Sequence, residues 1–139
     1  MYKRLAYVSR AAAGISARDA YDIIRVSVNR NCGQQLSGGL VFIDQHFVQV
    51  LEGHPARVDA RFAVISADPR HEGVELRQAV SCDRLLFEGN WMAFSSGEQI
   101  SPALRARHGI TPAHPVHLLA PEALVAFVLD CCQHTTALP

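Results

Sequence analysis

The stretch Phe47–Gly53, Phe-Val-Gln-Val-Leu-Glu-Gly, constrains the fold more than any other part of this chain. Phe47, Val48, Val50 and Leu51 are aromatic, β-branched or aliphatic, and Gly53 with Pro55 ends the run, so the stretch reads as a buried strand. Gln49 sits in its middle. A buried amide without partners costs about 1–3 kcal/mol. Gln49 therefore either faces solvent or meets groups that satisfy both ends of its amide.

The other elements follow from periodicity around this strand. Residues 3–10 alternate as a first strand, with Leu5, Tyr7 and Ser9 on one face and Ala6 and Val8 on the other. Ser16 is a good helix N-cap, and Asp19 three residues on closes a weak capping box. The helix it opens runs to about Asn29, with Ala20, Ile23, Ile24 and Ser27 turned inward and Arg18, Asp22 and Arg25 outward. Asn31 and Gly33 suit its C-terminal cap. A second strand spans Gln35 to Asp44, where Gly38-Gly39 allows close backbone approach. Asp44-Gln45-His46 makes a short hairpin into the Gln49 strand.

Pro55 opens a second helix whose stripe is Val58, Phe62 and Ile65, with Ala60 and Ala63 beside it, and whose wet face carries Arg57, Asp59 and Arg61. Pro69 ends it. Arg70 to Gly73 reads as a polar connection, Val74 to Cys82 as a fourth strand, and Trp91 to Ser95 as a fifth. The order strand, helix, strand, strand, helix, strand, strand predicts an α/β ferredoxin-like sandwich with one added strand in a five-stranded mixed sheet. A short helix after Ser101-Pro102 and an apolar one from Pro121 to about Cys132 follow. Leu124, Val125, Phe127, Val128 and Leu129 are too apolar for solvent, so the last helix is expected on the other sheet face. Residues 1–97 form the core in this reading and 98–139 a helical extension.

Composition removes several function classes. The 139 residues are one domain by size, and thirteen basic against thirteen acidic residues leave no basic footprint for nucleic acid. No apolar run reaches the roughly 18 residues of a membrane span, and the N-terminal apolar stretch is too short for a signal sequence, so a cytoplasmic location is expected. Four cysteines without a Cys-X-X-Cys pair read as reduced thiols. His114 and His117 flank Pro115, no second ligand pair stands at metal-site spacing, and no Ser-His-Asp or Cys-His arrangement is legible, so neither a metal centre nor hydrolytic chemistry is expected. Tyr7, Asn31, Gln49, Asp68, Arg70 and His71 all fall on or beside the sheet face under the two helices.

Those residues carry a resemblance. Tyr7-Val-Ser-Arg10, Asn31, Leu36-Ser-Gly38, Phe47–Gly53, Asp68-Pro-Arg-His71, and Arg84 leading to Trp91-Met92 are together similar to the BLUF family, sensors of blue light using flavin. The match covers about residues 3–96, in separations as well as residue types. It implies the same sandwich, with flavin between the two helices. Ile23 and Ile24, with Ser27 on the same helix face, would clamp the ring, and Asn31 would bond its polar edge. Arg30 stands where asparagine or histidine is common and would meet the rim or a phosphate. Asp68, Arg70 and His71 would lie along the ring edge and ribityl side. The ligand would be FAD, with FMN or riboflavin as alternatives.

Tyr7 and Gln49 would form the photoactive pair. A phenol can give the photoexcited flavin an electron and a proton and recover both, and an amide can exchange its donor and acceptor ends by rotating. The expected outcome is a rearranged hydrogen-bond network and a reversible red shift, in a photoreceptor and not an enzyme. The family often has Trp-X-Met on the fifth strand. Here Trp91 directly precedes Met92, which puts the two on opposite sides and makes Met92 the residue expected beside Gln49, with Trp91 as the other candidate. With no output domain following, the chain resembles short stand-alone members that act through a separate protein partner, and its exposed sheet edges permit a homo-oligomer. The competing expectation is a flavin-free ferredoxin-like interaction module, in which Tyr7, Asn31 and Gln49 are ordinary core and cap residues.

Overall fold

A computed structural model describes residues 1–23, 33 and 35–133. Five strands form one sheet: β1 (Tyr2–Ala11), β2 (Ser37–Ile43), β3 (His46–Gly53), β4 (His71–Cys82) and β5 (Ala93–Ser96), in the order β4-β1-β3-β2-β5. β1 pairs antiparallel with β3 and β4, β2 antiparallel with β3, and β5 parallel with β2, so the sheet is mixed as expected.

The β2–β3 hairpin turns on Asp44 and Gln45, both at positive φ (51° and 61°), as a two-residue turn matched to the strand twist requires. His46 belongs to β3.

Alternation sorts the strands' side chains onto two faces. Leu5, Tyr7, Leu40, Phe42, Phe47 and Leu51 form one buried cluster with Ala20 and Val58. Ala20 sits in α1 (residues 17–23 as described) and Val58 in α2 (Pro55–Ser66). Ser16 and Asp19 exchange the capping-box bonds at the start of α1: the Ser16 N–H donates to Asp19 Oδ2 (2.8 Å) and the Asp19 N–H to Ser16 Oγ (3.2 Å). These bonds hold the Asp19 carboxyl below the usual carboxylate range.

Ala6, Val8, Val41, Ile43, Val48 and Val50 point the other way, onto α3 (Pro102–Arg107) and α4 (Pro121–Gln133). Leu124, Val125, Phe127, Val128 and Cys131 are the buried residues of α4, which lies where its apolar stripe required. Arg107 and His108 both bond the Asp130 carboxylate (3.0 and 2.7 Å), tying the end of α3 to α4.

Four sequence expectations need correction. β4 begins at His71, so the polar run after Arg70 is strand and not connection. β4 is an edge strand with two register irregularities against β1, which break the regular alternation of a strand, and Leu76 and Val80 are half-exposed on it. Ala60 and Ala63 of α2 are exposed, because only the narrow Val58–Phe62–Ile65 line meets the sheet. β5 starts at Ala93, so Trp91 and Met92 belong to the segment before it. The first helix beyond residue 23, with Ile24, Ser27, Arg30 and Asn31, lies outside the described residues.

Candidate functional site

The site lies where β1, β3 and α2 converge. Tyr7 and Gln49 are direct cross-strand partners in the β1–β3 register, and Leu40 stands across from Gln49 on β2. A residue's side-chain direction alternates along a strand, so Tyr7, Gln49, Phe47 and Leu40 all reach the helix-covered face. They line a cleft with Ile23, Ile65, Asp68, Arg70 and His71 that holds about 410 Å³ of empty space, its open mouth included.

On the cleft floor the Tyr7 hydroxyl donates to Gln49 Oε1 at 2.5 Å, and both residues are buried. The other end of the amide, Nε2, donates to Met92 Sδ at 3.5 Å. The strand glutamine thus has a partner at each end, which answers the cost of its burial. Burial, with the nearby Asp68 charge adding to it, pushes the Tyr7 phenol far above its usual range. The tyrosine ring is held from above by Phe62 of α2 (centroids 5.6 Å apart) and edge-on by His71 (6.0 Å).

The rim is more self-contained than its residue types suggest. Arg70 turns back on Asp68: its N–H and Nε reach Asp68 Oδ1 (both 2.9 Å), and Nη2 closes on Oδ2. Arg70's side chain holds the Asp68 carboxyl below the usual carboxylate range. His71 has both ring nitrogens engaged by protein: Nε2 lies 2.6 Å from the Ile65 carbonyl and Nδ1 2.7 Å from Ser9 Oγ. A carbonyl only accepts, so Nε2 carries the hydrogen of the Ile65 bond. His71 therefore borders the cleft with ring carbons, locked between β1 and α2. Ser9 was not read as a site residue; its place two residues after Tyr7 on the same face was the available signal. Phe47, two residues before Gln49, carried the same signal, whereas Leu40 is set opposite Gln49 by the β2–β3 register.

Met92 is buried at 3% exposure while Trp91 is 37% exposed and is not among the described residues lining the cleft. The consecutive pair points two ways, with Met92 on the Gln49 side. Among the described residues no cluster of metal ligands is present, and no helix is long and apolar enough to cross a membrane.

A cleft with aliphatic and aromatic walls, a polar floor and a charged rim suits a flat ring with hydrogen-bonding edges. Fold and site together define a ferredoxin-like α/β domain whose cleft is floored by a tyrosine–glutamine pair. The BLUF family model, described as sensors of blue light using FAD, matches residues 2–93, and the chain belongs to that family. It is 30% identical over 96 residues to the photoactivated adenylate cyclase subunit beta of Euglena gracilis, a match covering 69% of this chain and 11% of that protein. The chain thus spans about a tenth of that relative's length. Among solved structures it resembles the ground state of BlsA (TM-score 0.80, 25% identity, 95% of this chain and 88% of that one). It also resembles the dark state of BlrB, a BLUF protein (TM-score 0.70, 27% identity, 90% and 96%). The domain is a blue-light sensor that uses flavin.

Proposed function

We propose that this chain registers light through the Tyr7–Gln49 pair, beside a flavin held in the cleft, and passes the change through Met92 to a separate protein. The 2.5 Å Tyr7–Gln49 bond on the cleft floor carries this reading. Bound flavin supplies light absorption and, once excited, a strong oxidant. Tyr7 Oη keeps its proton in the dark because burial makes ionisation costly. Beside a bound flavin Tyr7 would be the source of an electron and that proton on excitation and would recover both, so no substrate would be turned over and the chain would act as a receptor and not an enzyme. Gln49 exchanges its donor and acceptor ends while the proton is away. What remains is an amide turned differently against Tyr7 and Met92, a local switch that a neighbouring segment can read.

Ile23, Leu40, Phe47 and Ile65 wall the ring's place, and the Asp68–Arg70 pair borders it. Ile24, Ser27, Arg30 and Asn31 complete the holding set in this proposal. FAD is the proposed ligand, with FMN and riboflavin sharing the ring this cleft suits. Residues 1–97 act as the sensor core and 98–139 as a helical extension, whose α3 and α4 lie on the opposite sheet face. The half-exposed Leu76 and Val80 on edge strand β4 favour a homo-oligomer. Cys82, Cys131 and Cys132 stand outside any disulfide, which suits the cytoplasm.

Tyr7→Phe tests the pair. The variant keeps the ring packing against Phe62, binds flavin, and loses the normal red-shifting photocycle; a retained shift refutes the assigned role. The loss of stability is about 1–3 kcal/mol, the cost of leaving the buried Gln49 Oε1 without its donor. The raised phenol pKa sets a pH expectation as well. Free tyrosine ionises near pH 10, whereas Tyr7 stays protonated there. The light-induced shift therefore persists through about pH 10 in an absorbance titration. Because the folded-state pKa is the higher one, the stability linked to Tyr7 is full below the unfolded value and declines only as pH rises past it.

A further inference from the structure

Glu52 is a fully buried carboxylate that the light reaction does not use. It lies on β3 three residues after Gln49, and so on the opposite face of the sheet. Its partners are Arg4 across the register on β1 and the segment between β4 and β5. Oε2 accepts from Arg4 Nε (2.7 Å) and from the Leu86 N–H (3.0 Å), and Oε1 accepts from the Phe87 N–H (2.8 Å). Arg4 Nη2 also donates to the Arg84 carbonyl at 3.0 Å. Further along, the Asn90 N–H donates to the Phe87 carbonyl (2.9 Å) and the Asn90 carbonyl accepts from the Gly38 N–H (3.0 Å). Two residues later the segment delivers Met92 to Gln49.

Residues 84–92 thus form a strap gripped by β3 at both ends, by Glu52 at its start and by Gln49 at its finish. The first grip is a buried, charge-assisted set of bonds; the second is a single long N–H···S contact. We propose that Glu52 is a positioning residue for the light signal: by fixing the Leu86 and Phe87 amides it holds Met92 against Gln49. This rests on the reading of Gln49 as the photoactive amide. Glutamine cannot replace the carboxylate, because three donors converge on it and an amide would turn its own NH₂ against one of them.

The test is the dark-recovery rate of the FAD-loaded full chain after blue light, in a double-mutant cycle of Glu52→Gln and Met92→Ala. Glu52→Gln keeps its flavin and recovers faster by about tenfold, the scale set by loss of one charge-assisted bond. In the Met92→Ala background the same substitution changes recovery by less than about twofold, the non-additivity expected of groups that act through one another. An unchanged rate in the unmodified background, or equal acceleration in both, overturns the proposal; a purely structural role would lower thermal stability alike in both and leave no such coupling. Should Glu52→Gln fail to fold, Arg4→Lys, which withdraws the Nε bond and the tie to Arg84, is read in the same cycle against the same outcomes. Absence of any red-shifted state in the unmodified protein overturns instead the underlying reading of Gln49.

Discussion

Gln49→Leu binds flavin and shows no light-induced red shift. Leucine nearly fills the glutamine's volume between Leu40 and Tyr7, its neighbours in the sheet register, so the cleft walls stay in place. What disappears is the chemistry. The Tyr7 hydroxyl loses its acceptor and Met92 Sδ loses its donor, and no group remains whose two ends can exchange. The effect on signalling is complete, whereas the effect on stability is moderate, about 1–3 kcal/mol for a buried hydroxyl without a partner. Absorbance of the flavin-loaded variant before and after blue light measures the first, and a denaturant titration the second. A shift of normal size in this variant contradicts the role given to Gln49.

Gly38→Ala has the largest expected effect on the fold itself. A Cβ at Gly38 would stand 2.0 Å from the Val50 carbonyl oxygen and 3.0 Å from its carbon. Both are backbone atoms of the paired strand, so no side chain can swing aside; β2 and β3 must part where Gly38 faces Leu51. The variant loses about 3 kcal/mol or more, the upper end for overpacking, with a melting temperature lower by on the order of 10 °C. Gly39→Ala is the informative control. Its Cβ would meet only side chains, Cys132 Sγ at 2.8 Å, Phe87 Cε2 at 2.9 Å and Val128 Cγ1 at 3.2 Å, which can shift in part. It is expected to cost less than Gly38→Ala in the same thermal melt.

These two glycines show what can be read from residues alone. A Gly-Gly pair at the start of a strand signals close approach, and the closest approach is indeed backbone on backbone at Gly38. Alternation likewise sorts the faces of β1 and β3, because both are interior strands whose two sides are buried by different helices. The same logic fails on β4. An edge strand has one neighbour and wet flanks, so His71 and Glu72 look like a loop although they pair with β1, and Gly73 falls in a register break. The two register breaks then spoil the alternation that would have corrected the reading.

The site divides in the same manner. Tyr7, Gln49, Asp68, Arg70 and His71 come together in one cleft because strand period and helix length fix where each emerges. Their bonds were less legible, since a partner's identity depends on register between distant segments. His71 is expected along the ring edge, yet Ser9 and the Ile65 carbonyl take its two nitrogens. Glu52 lies inside the strand Phe47–Gly53, and only the fold shows the Leu86 and Phe87 amides that bond it.

The most direct test of the account is the light-minus-dark absorption spectrum of the purified chain loaded with FAD. A flavin band that moves to longer wavelength under blue light and returns in darkness is the predicted result. A chain that takes up no flavin, or a bound flavin whose band does not shift reversibly, contradicts it.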